Sequence, residues 1–277
     1  MLRRPFTEEP MSKLAAWSSR LAWFALAVSA LSIVVVRSGA LEVEPALATF
    51  GAGLFFAVLA VILAFAAFVS IWRQGRTGLG RAVLGMFLGL LVLGYPGYLA
   101  YRASTLPAIY DVTTDPADPP RFAALASARA ADMNVYHAAF ARQQRAAYPN
   151  LAPLQYDAPA KFVFDSALAI VNKRRWRIAD AQPPELGRRD ARIEAVAHSL
   201  VMGFPDDVVI RITAAGAGTR VDVRSASRHP WPDFGENAAR VQALLDDIDD
   251  AVSNTPEPRA VPEPKAPPAP KRQPAKR

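Results

Sequence analysis

Residues 227–241, SRHPWPDFGENAARV, gather an imidazole (His229), an indole (Trp231), two carboxylates (Asp233, Glu236), an amide (Asn237) and a guanidinium (Arg240). Groups of these types on one turn and the start of a helix can hold a small ligand or relay a proton. The spacing has a second explanation. Asp233 and Glu236 stand as D-x-x-E directly before the apolar series Val241, Leu244, Leu245, Ile248 and Val252, the pattern of a capping box. Asp233 then accepts from free amides of the first turn and Glu236 reaches back. The segment reads mainly as a helix start that HPWP aims, with His229, Trp231, Asp233, Asn237 and Arg240 as candidate ligand-binding residues.

Other chemistry is sparse. The three histidines, His137, His198 and His229, form no HxxxH or HExxH spacing, so the sequence assigns no metal site and no cofactor. His198 precedes Ser199 on a strand, where neighbours face opposite ways, so they do not pair as base and nucleophile. No GxSxG, P-loop or GxGxxG fingerprint occurs, and no catalytic residue is assigned. With no cysteine there is no disulfide framework and no thiol nucleophile. NKRRWR, 172–177, is the densest basic run of the domain. Lys173, Arg174, Arg175 and Arg177 either complement a helix C-terminus or touch lipid headgroups.

The elements that carry these groups begin with three apolar stretches, about 21–36, 47–72 and 82–101, each read as a transmembrane helix. Arg3, Arg4, Lys13 and Arg20 precede the first, and Arg73, Arg76 and Arg81 lie between the second and third. The positive-inside rule then puts the N-terminus in the cytoplasm and everything after Arg102 outside it. Ser38, Gly39 and Ala40 resemble a signal-peptide cleavage site, but the 20-residue lead-in and Arg37 argue against cleavage. Gly85 and Gly89 form a GxxxG pair, suited to packing within this bundle or against another helix. Gly94, Pro96 and Gly97 are expected to bend or loosen the end of their helix. No span holds an interior ionisable residue, which argues against a transporter.

Beyond residue 103 the sequence predicts an extracytoplasmic α+β domain at 104–253. An extended Pro/Asp-rich linker (104–122) leads into an Ala-rich helix (121–148) and a second helix at about 159–174 bearing Phe164, Leu168 and Val171. Strands begin at Trp176 and Arg192; DVVIRIT places Val208, Ile210 and Ile212 inward with Arg211 outward. TRVDVRSAS places Val221 and Val223 inward, with Arg220, Asp222 and Arg224 outward. AAGAG between them is a hairpin turn and AQPPELGRRDAR a loop, so the sheet is antiparallel. The tail, 254–277, has 8 Pro and is expected to be disordered. Of the net charge of +7, residues 1–102 carry +5, the domain −2 and the tail +4, so no folded surface offers the positive excess that nucleic acid requires.

YDVTTDPADPPRF (110–122), AYPNLAPL (147–154) and SRHPWPDFGENAARVQALLDDID (227–249) together resemble the domain-of-unknown-function family 1499, here in a membrane-anchored bacterial arrangement. Its most specific part is D-F-G-x-N-A-x-R-V, Asp233 to Val241. The resemblance implies no activity, cofactor or catalytic residue. The resulting expectation is an α+β protein of the bacterial inner membrane: three transmembrane helices, residues 1–103, followed by an antiparallel sheet packed against helices. It binds membrane lipids, and its periplasmic domain takes an envelope protein or a lipid-like ligand. The alternatives are a small periplasmic enzyme with its polar site around His229 and Asp233, and a structural role in which Gly85 and Gly89 recruit other helices.

Overall fold

The computed structural model describes residues 10–39, 43–185, 190–216 and 218–254. The Pro-rich tail, Arg3, Arg4 and parts of the 181–192 loop and of the AAGAG turn lie outside the described residues.

Three long helices open the chain: α1 (Lys13–Arg37), α2 (Val43–Gln74) and α3 (Leu79–Thr105). Each is long and apolar enough to cross a membrane, with hydropathies of 1.9, 2.9 and 1.8. Their packing is that of membrane helices. Ala22, Ala25, Ala57, Ala60 and Ala64 are fully buried between them, while Phe24, Phe55, Phe65 and Phe87 point outward. Small residues let the helix backbones approach closely, and the large apolar side chains are left on the outside of the bundle, the arrangement that membrane helices use. Gly85 and Gly89 serve this purpose inside the bundle: a Cβ on Gly85 would collide with Ser18 and Ser19 of α1, and one on Gly89 with Val61 of α2. Both glycines therefore face helices of this chain, the first of the two packings their spacing allowed, and not another helix as the structural alternative required. α3 runs as one helix through Pro96.

The remainder forms a six-stranded antiparallel sheet: β1 (Asp111–Thr113), β2 (Leu154–Tyr156), β3 (Arg177–Gln182), β4 (Asp190–His198), β5 (Pro205–Ala215) and β6 (Gly218–Ser227). The order is β1-β6-β5-β4-β3, with β2 beside β1 on the same edge of β6. Two helices, α5 (Ala160–Lys173) and α6 (Glu236–Asn254), cover one face. Val208, Ile210, Ile212, Val221 and Val223 meet Phe164, Val171, Val241, Leu244 and Ile248 there, as the period-2 and helical spacings predict.

The other face departs from expectation. Arg224 and Asp222 are buried, not outward in water, because residues 114–136 fold over them. Arg224 makes a two-pronged bond to Asp111 (2.9 and 2.7 Å) and lies over the Phe122 and Tyr136 rings. Arg129 reaches Asp207 at 2.9 Å, with Arg228 on the same carboxylate. Asp115 and Asp118 pair with Arg220 and Arg211. The stretch read as a linker is thus the sheet's edge strand and part of its cover.

The Ala-rich helix expected over 121–148 is also absent as such. It is divided into 3₁₀ turns at Ala126–Ala128 and Ala131–Asn134 and a short α4 (Ala138–Ala147). The carboxylate of Glu194, fully buried, accepts from the amides of Ala123 and Leu125, and Arg129 must turn inward to Asp207. Those tertiary bonds outweigh a helix propensity worth only tenths of a kcal/mol per residue, roughly.

Candidate functional site

The junction-side ends of β4, β5 and β6 meet the bundle where α1 and α3 end. Ser199 ties the β4–β5 turn together, accepting from Phe204 N through its hydroxyl and donating its own amide to Phe204 O. Arg37, the last residue of α1, donates to the carbonyls of Leu200 and Val201 in that turn at 2.9 and 3.1 Å. Gly203, at φ +74°, lets the Arg37 side chain lie against the backbone; a Cβ there would stand 2.9 Å from it.

Between the bundle and the domain lies a cavity of about 320 Å³. α2 contributes Leu47 and Phe50, and α3 contributes Pro96 and Leu99. The domain contributes Met202 and Phe204 from the β4–β5 turn, and His229, Trp231, Asp233 and Glu236 from the 227–241 segment, with Asp206 beside them. Its wall is mostly hydrocarbon and aromatic; the carboxylates and the imidazole come from the domain, and α3 adds the Tyr95 phenol.

The start of α6 is built around Asp233. Its two carboxylate oxygens accept from the amides of Gly235 and Asn237, each at 2.8 Å, while its own amide donates to Ile109 O at 3.1 Å. Phe234 and Gly235 have φ of +53° and +82°, so the glycine fills a position that side chains avoid. Only half of the expected capping box forms. Glu236 does not reach back to the Asp233 amide, which Ile109 already holds; its carboxylate faces α3 and accepts from the Tyr95 hydroxyl at 3.5 Å. Replacing Asp233 with Ala should lower stability by about 1–2 kcal/mol, the usual weight of an N-terminal cap. Thermal denaturation of the full chain reads this, and a change within a few tenths would contradict the capping role.

His229 stacks on Trp231, with ring centroids 4.9 Å apart, and meets the edge of Phe204. Burial, opposed by the charge of Asp206, holds His229 below the ordinary histidine value. Burial raises Asp233 above its ordinary value against the pull of its two amide donors. The same cause raises Glu236, with the charge of Asp206 second.

Of the five candidate residues read from sequence, His229, Trp231 and Asp233 line the cavity. Asn237 does not; it is fully buried, donating to Tyr110 O and Ser227 Oγ and accepting from Ser225 Oγ. Arg240 turns to Asp206 at 2.6 Å and to Ser225 and Asn237, and borders a neighbouring cleft instead. Glu236, one of the polar groups of the 227–241 segment, also lines the cavity, as do Asp206 and the helix residues Pro96 and Leu99, which were not singled out as ligand groups; only the proximity of the β5 start to the bundle would have found those three. In the basic run, Arg174 is engaged by Asp247 (2.7 Å), the Ala243 carbonyl and the Trp176 ring, whereas Lys173, Arg175 and Arg177 are exposed.

These features define a class: an antiparallel α+β domain seated on one end of three apolar helices of membrane-crossing length. Residues 111–248 match the model of DUF1499, proteins of unknown function, and through them the chain belongs to that family. No curated protein matches the chain. Among solved structures, CalU16 from Micromonospora echinospora is similar at 18% identity over 38% of this chain and 74% of that one, with a TM-score of 0.26.

Proposed function

We propose that this is a multi-pass protein of the bacterial inner membrane, with the N-terminus and the 75–78 loop cytoplasmic, the domain periplasmic, and a lipid-like ligand held in the cavity between domain and bundle. The cavity carries the reading. Its walls come jointly from α2, α3 and the domain loops, it is mostly apolar, and its size lies at the lower end for small-molecule sites. α2, at 32 residues, is about 48 Å long against a hydrocarbon core of about 30 Å. Its ends therefore reach headgroup depth, where the cavity opens between acyl chains and the aqueous domain. Charge supports the orientation: the α1 start and the α2–α3 loop meet at the opposite end, where Ser12 N donates to Thr77 O, and the basic residues of the loops concentrate there.

The enzyme alternative has less support. Both oxygens of Asp233 are held by amides, and the described contacts of His229 are ring contacts. Native mass spectrometry of the full chain released from nanodiscs tests the proposal. A lipid-mass adduct lost on denaturation is expected, and Leu99→Trp, which fills the cavity, should abolish it. A clean apo mass for the wild-type chain would overturn the lipid reading and favour an envelope protein as the partner.

A further inference from the structure

The ligand's polar end is constrained by the sign of the wall. Asp206, Asp233 and Glu236 border the cavity, and neither Lys nor Arg does. The amides at the start of α6 form the usual anion site of a helix, but Asp233 already fills it, so a phosphate finds no free donors there. Asp206 has an oxygen held by Arg240 at 2.6 Å. Glu236 differs from both: the one described hydrogen bond to its carboxylate is the long contact from Tyr95 at 3.5 Å, and Arg240 acts on it through charge alone. Burial disfavours the charged form of His229. Arg102 and Arg240 line a separate cleft of about 330 Å³ across Phe234 and Glu236; there Arg102 donates to Tyr98, and Arg240 is matched by Asp206.

Resting on the cavity reading above, we infer that the site selects an amphiphile whose head group donates hydrogen bonds, an ammonium or a hydroxyl, and that Glu236 is the group that accepts them. The head lies against Glu236 and Asp206, and the first part of the chain runs between Leu47, Phe50, Pro96 and Leu99. Phosphate- and carboxylate-headed amphiphiles are excluded, because the walls that desolvate them supply like charge and no donor cation.

The test uses the full chain in phosphatidylcholine nanodiscs with three photoreactive probes of equal chain length: a primary amine, an alcohol and a phosphate monoester. Adducts are mapped by peptide mass spectrometry. The amine and alcohol should label residues 199–206 and 229–236, while the phosphate labels only outward side chains of the bundle such as Phe55 and Phe65. In Glu236→Gln, which keeps the shape of the side chain, amine labelling of the cavity should fall about tenfold, the weight of one charge-assisted hydrogen bond. Cavity labelling by the phosphate equal to that by the amine would overturn the inference and leave the lipid site standing, and the wild-type comparison does not depend on the variant's folding. Unchanged amine labelling in Glu236→Gln would overturn the role of Glu236. Absence of cavity labelling by every probe would overturn both the inference and the site.

Discussion

Asp111→Ala lowers the stability of the domain by about 3–5 kcal/mol, the range for removing one partner of a buried ion pair. Asp111 and Arg224 are each 1% exposed, and Arg224 donates to both oxygens of the carboxylate. With Asp111 gone, the guanidinium keeps only the carbonyls of Pro120 and Asn134 and the faces of Phe122 and Tyr136. The loss comes from leaving a charge without its counter-charge in a dry layer. Replacing both groups, Asp111→Leu with Arg224→Met, should therefore recover most of it, since apolar isosteres of a buried pair are often neutral or better. Denaturant unfolding of the full chain in detergent, followed by tryptophan fluorescence with Trp176 and Trp231 as the two reporters in the domain, measures both. A single-variant loss under about 1 kcal/mol would mean that water reaches the pair.

Gly85→Leu is the second large effect, expected to cost about 3 kcal/mol, the upper range for overpacking. A Cβ at Gly85 already meets backbone atoms Ser18 C and Ser19 N at 2.9 Å, which a rotamer change cannot clear. α1 and α3 would have to separate, and with them the Ser18 hydroxyl that donates to Ala60 O at 2.9 Å. Gly94→Leu, in the same helix but with nothing within 4 Å of its Cβ position, is the control and should be near neutral. Thermal unfolding by circular dichroism in nanodiscs separates the two, and equal melting temperatures would refute the packing assigned to Gly85.

What the sequence revealed follows from which forces are local. The three spans show as uncharged runs of membrane length, and α5, α6 and the inward faces of β5 and β6 repeat with the period of their own backbone, so pattern alone finds them. The second face of the sheet has no such pattern. Arg224 and Asp222 read as solvent-facing because charges usually are; only the fold brings Asp111, Asp115 and Arg129 from the 111–129 segment to meet β5 and β6. The same contacts divide the Ala-rich stretch into short turns.

At the site, the segment that carries the family resemblance is largely accounted for by architecture. Asp233 caps, Gly235 supplies the left-handed turn, Asn237 ties α6 to Tyr110 and Ser227, Arg240 answers Asp206 and Val241 is core. His229, Trp231 and Glu236 are left facing the cavity. Its other wall is the bundle, and no spacing within one chain segment announces a wall built across two.

The direction of α6 has a consequence for whatever the chain does next. The helix starts at the bundle beside Tyr95 and runs for 19 residues, about 28 Å, along the sheet. Near its other end the charge of Asp249 adds to burial in pushing the Tyr156 phenol up, and Tyr156 pairs with Thr219 at the start of β6, the edge farthest from the bundle. The polypeptide therefore leaves the domain at the pole opposite its seat. A label attached at Asn254, the last described residue, would be separated from the cavity by the length of α6.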